Sequence, residues 1–205
     1  MTVNEIKTAL GIRLDDPNEE RYTSSVKYSA LTNALEVVVG TAYHMYLTGY
    51  QETSTFTASA LGNSLPGNYS RYILSSLYLK SPIQYIQNIP IDKLGELDNR
   101  YLVGSNVDPK CYVWNDTYFL LVDTYNGNYN KVKLDYIKKV PLLDSTVIDL
   151  GVDQRLHNIV LDLAESSLRM TYGHGDLSTI HTMGINALNA LEKFSGIITS
   201  GVQDG

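Results

Sequence analysis

Residues 110–122 read Lys110-Cys111-Tyr112-Val113-Trp114-Asn115-Asp116-Thr117-Tyr118-Phe119-Leu120-Leu121-Val122, and this stretch decides the fold class. Aromatic and β-branched residues, which favour strands, lie on both sides of the pair Asn115-Asp116. Such a pair forms the tight turn of a β-hairpin, because both residues tolerate the positive φ that the turn requires. The stretch therefore predicts two antiparallel strands in the middle of the chain.

The β pattern extends on both sides of this hairpin, over residues 82–141. An extended run bounded by two prolines comes first, and the Asn-Gly-Asn sequence at 126–128 provides a second turn. Polar and apolar residues then alternate over 131–139, with the apolar positions at Val132, Leu134 and Tyr136. This pattern predicts a small antiparallel sheet with one polar face.

Helical spacing of apolar residues marks both ends of the chain. We expect a short helix over 2–10, a second from about 23 to about 49, a third over 153–172 and a fourth over 176–194, with a loop at 50–70. The buried stripe of the second helix is predicted at Val26, Ala30, Leu31, Ala34, Leu35, Val38, Ala42 and Met45. That of the fourth is predicted at Ile180, Met183, Ala187, Leu188, Leu191 and Phe194.

These elements predict an α+β fold, an antiparallel helical bundle from both chain ends with an inserted small antiparallel β-sheet. Residues 1–80 and 145–196 form the predicted helical bundle body, and residues 81–144 form the inserted β domain. Residues 197–205 are predicted to be a flexible C-terminal tail.

Composition points to contacts with proteins more than with nucleic acid. The 205 residues carry 16 Lys and Arg against 22 Asp and Glu, a net charge of -6, which disfavours binding to a phosphate backbone. The chain has 16 Tyr beside 3 Phe and 1 Trp. Tyrosine combines a large apolar ring with a polar tip and is enriched at interfaces, so this excess indicates assembly surfaces, with codon bias as the alternative.

The sequence carries no signal for export or membrane insertion. The N-terminal residues lack the apolar core of a signal peptide, and no apolar run approaches the roughly 20 residues that span a bilayer. Cys111 is the single cysteine, so the chain has no internal disulfide. We therefore expect a soluble protein made in the cytosol.

No arrangement of residues in the sequence predicts a catalytic or metal-binding site. The histidines do not stand at the spacing of metal ligands, Cys111 has no neighbouring base, and Ser64 lacks the glycine that completes a nucleophile motif. The run 173–176, Gly-His-Gly-Asp, follows a helix instead of a strand, so we interpret it as a corner between helices and not as a phosphate loop. We predict no enzymatic activity, no cofactor, and no catalytic, cofactor-binding or metal-binding residue among His44, His157, His174 and His181.

Three stretches carry a resemblance to a known family. Leu14-Asp15-Asp16-Pro17-Asn18-Glu19-Glu20-Arg21-Tyr22-Thr23, followed by a helix with Leu31-Thr32-Asn33-Ala34-Leu35, resembles the opening of tailed-phage head-to-tail adaptor proteins, the connector ring proteins of podovirus-like and crAss-like phages. Pro109-Lys110-Cys111-Tyr112-Val113-Trp114-Asn115-Asp116-Thr117-Tyr118-Phe119 is similar to their hairpin. Leu134-Asp135-Tyr136-Ile137-Lys138-Lys139-Val140-Pro141 is similar to the strand that closes it.

The resemblance implies a structural virion protein at the head-to-tail interface. It implies a homo-oligomeric ring of twelve subunits that binds the portal protein on one side and a downstream tail or nozzle protein on the other. Such a ring encloses DNA without sequence-specific binding and contacts no membrane.

Two other interpretations remain open from the sequence. One is a different neck or tail protein, such as a stopper or a tail-tube component, and the other is a small soluble binding module. Candidate residues for contacts between subunits, with internal packing as the alternative, are Tyr43, Tyr46, Tyr50, Tyr69 and Tyr72.

Overall fold

A computed structural model describes residues 1–79, 82–96, 104–123 and 130–195. The chain divides into two compact units. The first, which we call the helical unit, comprises Met1–Tyr50 and Lys139–Gly205, and the second, the sheet unit, comprises Gln51–Lys138. The predicted tail at 197–205 and the predicted turn at 126–128 lie outside the described residues.

The described part of the helical unit contains four α-helices: α1 (Val3–Arg13), α2 (Ser24–Thr41), α3 (His157–Tyr172) and α4 (Leu177–Glu192). Their termini follow local chemistry. Thr2 and Glu5 form a capping box at the start of α1, and the Asp176 side chain accepts a hydrogen bond from the Thr179 amide at the start of α4. Gly173 ends α3 in the left-handed conformation, with φ of 67°.

The predicted helical bundle is wrong. In a bundle every helix faces a shared core, but α4 packs almost entirely on α3 and contributes only three buried residues, Ile180, Ala187 and Leu191. The core of the helical unit lies between α1, α2 and α3, where Ile6, Leu10, Leu31, Leu35 and Val160 are fully buried. The fold is α+β, with four helices and a mixed sheet that forms a half-barrel in the described residues.

Helix α2 also ends earlier than its apolar spacing predicts, at Thr41 instead of about residue 49. The chain continues as two short 3-10 turns, in which the Gly49 amide donates to the Gly151 carbonyl at 2.9 Å. A Cβ on Gly49 would lie 2.5 Å from the Gly151 Cα, so this close backbone contact requires glycine. Met45, assigned to the buried stripe, is 58% exposed as a result.

Seven strands form one sheet in the described part of the sheet unit, in the order β1-β7-β3-β4-β5-β6-β2. Their bounds are β1 Gln51–Thr57, β2 Asn63–Ser64, β3 Tyr69–Leu77, β4 Gln84–Asn88, β5 Lys110–Trp114, β6 Thr117–Leu121 and β7 Lys131–Lys138. The sheet is mixed, since β4 and β5 are parallel and the other pairs are antiparallel. The prediction of a small antiparallel sheet is therefore wrong.

The predicted loop at 50–70 is wrong as well, since β1, β2 and the start of β3 lie there. These strands belong to the sheet unit, whereas the sequence analysis placed residues 1–80 in the helical body. Serine and threonine made the segment resemble a loop by composition. In β1, however, all seven residues pair in register with β7. Thr53, Thr55 and Thr57 are two residues apart and so occupy one face of a regular strand, where their β-branched side chains are favourable.

The hairpin predicted from residues 110–122 is confirmed. Strands β5 and β6 are antiparallel, with Trp114 opposite Thr117. Asn115 and Asp116 connect them with φ of 47° and 53°, as a two-residue turn with two positive φ angles requires. The alternation in β7 is also confirmed, because Val132, Leu134 and Tyr136 lie in the core of the sheet.

Candidate assembly surface

Helix α4 presents an unusual surface, exposed but almost without charge. Its sixteen residues, Leu-Ser-Thr-Ile-His-Thr-Met-Gly-Ile-Asn-Ala-Leu-Asn-Ala-Leu-Glu, contain one acidic or basic residue other than histidine, Glu192 at the end. Exposed helix faces of soluble proteins ordinarily carry charged side chains. A helix with three buried residues and one charged residue is therefore typical of a surface that another protein covers.

Three exposed apolar residues and one exposed histidine lie along one side of α4. Leu177, His181, Ile185 and Leu188 are four, four and three residues apart, which places them in a line along the helix. Leu177 is 65% exposed, Ile185 43% and Leu188 46%, and His181 is also exposed. We call these four residues the α4 flank. Leu188, predicted for the buried stripe of this helix, lies on this flank instead.

An open groove lies on α4 as well, with a volume of about 480 Å³. Its lining includes Asp162 from α3 and Ser178, Thr179, Thr182, Met183 and Asn186 from α4. The Asp162 carboxylate is engaged by the Arg13 guanidinium. The polar groups of this lining are therefore hydroxyls, an amide and a carboxylate that is already paired.

The acidic turn between α1 and α2 has an internal structural role. The Asp16 carboxylate accepts hydrogen bonds from the amides of Arg21 and Tyr22, each at 3.0 Å, and lies 3.1 Å from the Lys27 ammonium. The side chains of Asp16 and Lys27 are 2% and 1% exposed. Burial alone would raise the pKa of Asp16, but these hydrogen bonds and the Lys27 charge outweigh it and hold the pKa at about 2.

Glu19 completes this turn. Its carboxylate accepts a hydrogen bond from the Ser24 amide at 3.1 Å, at the first residue of α2, and pairs with the Lys7 ammonium at 2.9 Å. The Lys7 and Ser24 hydrogen bonds lower the pKa of Glu19. The acidic turn therefore fixes α1 against the start of α2, and the carboxylates of Asp16 and Glu19 are bonded within the chain.

A second ionic cluster joins α1 to α3. The Arg169 guanidinium donates to the Glu165 carboxylate at 2.9 Å and to the Arg13 carbonyl at 2.6 Å. Arg13 in turn pairs with Asp162 and lies 3.8 Å from Glu165. Like the acidic turn, this cluster stabilises packing and leaves no free set of carboxylates.

The four histidines lie apart, and no group of three metal-ligating side chains occurs in the described parts of the chain. His44 lies against Tyr43 with ring centroids 4.2 Å apart, His174 meets the edge of Tyr22 at 6.0 Å, and His181 lies on the α4 flank. His157, at the start of α3, is 5% exposed. These positions bring no two histidines into one site.

His157 is a buried histidine at the start of α3. Its ring nitrogens form no hydrogen bond of normal geometry with any described side chain or backbone group. Burial lowers the pKa of His157 below its ordinary 6.5, and the nearby Val152 carbonyl and the charges of Asp149 and Asp153 oppose this only in part. The folded state therefore binds this proton less tightly than the unfolded chain does.

We expect the stabilising effect of neutral His157 to be fully present above pH 6.5 and to be lost as the pH falls below that value. The unfolding midpoint of wild type should drop between pH 7.5 and pH 5 by more than that of His157→Gln, with His181→Gln as the exposed control. Equal pH dependence in wild type and His157→Gln would contradict this.

Cys111 lies in a buried polar cluster of the sheet unit. The Ser75 hydroxyl is 2.9 Å from the Tyr118 hydroxyl and 3.0 Å from the Tyr72 hydroxyl, and the Cys111 sulfur is 3.7 Å from Ser75. Burial raises the pKa of Cys111 and holds that of Tyr118 well above its usual value. A thiol that resists ionisation is a poor nucleophile, so the cluster acts as part of the core.

The tyrosines proposed for contacts between subunits pack mostly within their own units. Tyr50 is 4% exposed, Tyr46 meets the edge of Phe194 at 5.2 Å, and Tyr69 lies 5.7 Å from the Tyr136 ring. Tyr72 belongs to the Cys111 cluster, and burial raises the pKa of Tyr50 and of Tyr69 to about 12. Of these five tyrosines, Tyr43 is the exposed one, with a fractional exposure of 42%.

Comparisons with known proteins do not identify a family: no family model matches the chain, and no curated protein matches it. Among the described helices none is both long and apolar enough to cross a membrane.

Proposed function

We propose that this chain is a structural subunit of a tailed-phage virion, a head-to-tail adaptor that forms a ring between the portal and the tail. The observation that carries the proposal is the exposed, nearly uncharged α4 flank. In a ring each subunit meets two identical neighbours, so the fold needs a surface that accepts another copy. We propose that the α4 flank packs against the neighbouring copy.

The charge of the chain supports the same proposal. A net charge of -6 makes the surface repel the DNA backbone, which suits a ring through which DNA slides without sequence-specific binding. The resemblance of residues 14–23 and 109–119 to adaptor proteins adds the expected partners, which are the portal protein above and a tail or nozzle protein below. The expected location is the head-to-tail interface of the virion, after synthesis in the host cytoplasm.

The distribution of ionisable groups favours a structural protein over an enzyme. The buried or paired groups of the helical unit, Asp16, Lys27, Glu165 and Arg169, are bonded to one another or to backbone. Perturbed ionisable groups that line a cleft indicate catalysis, whereas these hold helices together. We therefore propose a ring of twelve copies of this chain, with no catalytic residue.

A second candidate is another neck or tail protein, such as a stopper or a tail-tube subunit. The observation that favours it is that β1 pairs on one side only among the described strands, since strands at the end of a sheet tend to pair between chains. The two candidates differ in the partner that is bound first. An adaptor binds the portal directly, and a stopper or tube subunit binds only after the adaptor is in place.

The test is to mix the purified chain with the portal protein encoded by the same genome and to measure the mass of the complex by light scattering. We expect a complex with one copy of the chain per portal subunit. A chain that stays monomeric and does not bind the portal would contradict the adaptor proposal.

A further inference from the structure

Residues 150–153 approach α3 without forming a helix or a strand, and we call them the junction segment. Two backbone hydrogen bonds tie this segment to the turns that follow α2. The Gly49 amide donates to the Gly151 carbonyl at 2.9 Å, and the Asp153 amide donates to the Tyr46 carbonyl at 2.8 Å. The junction segment therefore holds the backbone that leads from α2 into β1.

The buried ring of His157 lies against the junction segment. His157 is 5% exposed, and neither ring nitrogen makes a hydrogen bond of normal geometry within the described residues. The polar and charged groups that face the ring are the Val152 carbonyl, the carboxylates of Asp149 and Asp153, and the Met1 ammonium. Two of these groups, on Val152 and Asp153, belong to the junction segment, so opening the segment gives the ring access to water.

Protonation of His157 favours the open segment. In the closed fold a charged imidazole would be buried without a hydrogen-bond partner of normal geometry, which is unfavourable. A histidine in water binds its proton near pH 6.5, and burial lowers the pKa of His157 below that value. Because the open form binds the proton more tightly, acid shifts the equilibrium towards the open form.

Opening of the junction segment costs less than unfolding of the helical unit. It breaks the two backbone hydrogen bonds and uncovers the side chains of Leu150 and Val152. The core between α1, α2 and α3, which includes Leu31 and Val160, keeps its packing. Irregular segments open at lower free energy than the helices of a core, so acid acts first on the junction segment.

We propose that His157 and the junction segment form a pH-sensitive switch, in which a ring nitrogen of His157 takes up a proton from solvent and the segment is released while the helices stay folded. All of its contacts lie within one copy of the chain. The switch is therefore independent of the adaptor proposal, and failure of either one leaves the other standing.

Hydrogen exchange of the full chain, measured by nuclear magnetic resonance, tests the switch. The amides of Gly49 and Asp153 are the reporters, because they donate the two hydrogen bonds that open. Dividing the random-coil exchange rate at each pH by the measured rate gives a protection factor without the intrinsic effect of pH. We expect this factor to fall about fivefold from pH 7.5 to pH 5.5, where one proton permits at most about tenfold. The amides of Leu35 and Ala164, inside α2 and α3, should stay more protected than the reporters at both pH values.

Two histidine variants identify the titrating group. His157→Gln should remove most of the fall in protection, whereas His44→Gln, changed in the turn that contains Tyr46, should keep it. An equal fall in wild type and His157→Gln would overturn the proposal. Reporters as protected as Leu35 and Ala164 would also overturn it, because the segment would then open only with the whole unit. Wild type alone gives a test that needs no variant, since reporter protection that is independent of pH below 6.5 would contradict the switch.

Discussion

Leu188→Glu is expected to abolish ring formation and reduce binding to the portal at least about a hundredfold, while the chain stays folded. Leu188 is 46% exposed, so a glutamate there remains in water in the free subunit and changes its stability little. In the ring the same carboxylate would be buried without a partner against the neighbouring copy, which is strongly unfavourable. Sedimentation of the variant with and without portal measures the effect.

The matched control is Asn186→Glu, which places the same charge at another exposed position of α4. Residues 186 and 188 are separated by about 200° of rotation around the helix, so this side chain points away from Leu188. We expect Asn186→Glu to assemble like wild type. If both variants lost assembly equally, the contact would extend over the whole helix, and if neither did, the α4 flank would not be the contact between subunits.

Lys27→Met is expected to cause the largest loss of stability of any single polar substitution in the helical unit. It removes the ammonium 3.1 Å from the Asp16 carboxylate and leaves that carboxylate buried without its cation. Breaking a buried pair from one side is far more costly than breaking a surface pair. We expect the midpoint of thermal unfolding to fall by about 10 °C.

Two further variants separate the charge effect from lost packing. Asp16→Asn in the Lys27→Met background removes the unpaired charge and should recover part of the loss. The recovery is only partial, because the two carboxylate oxygens accept separately from the Arg21 and Tyr22 amides and the single amide oxygen can accept from one of them. Lys7→Met breaks the more exposed pair with Glu19 and should lower the midpoint by only about a degree or two. A Lys27→Met variant as stable as Lys7→Met would contradict the structural role of the acidic turn.

The sequence correctly predicted those elements that depend on residues close together in the chain. The Asn115-Asp116 turn, the alternation of β7 and the Gly173 end of α3 all depend on residues within a few positions of one another. The parallel pairing of β4 with β5 and the strand at residues 51–57 depend instead on partners distant in sequence. For this reason β1 resembled a loop by composition, and the size of the sheet was missed.

Only part of the candidate assembly surface could be predicted from the sequence. The near absence of charge from residues 177–191 is visible in the sequence, and it is the signal that marks this helix as unusual. The spacing of apolar residues nevertheless predicted that Leu188 is buried. Such spacing defines one face of a helix but does not show whether that face packs against the core. The packing of α4, mainly on α3 with Ile180, Ala187 and Leu191 inward, places Leu188 on the outer side.

Electron microscopy of the purified chain bound to its portal tests the adaptor proposal. End-on views should show a closed ring with one copy of this chain per portal subunit and an open central channel. Portal particles with no added density, beside free copies of this chain, would contradict the proposal.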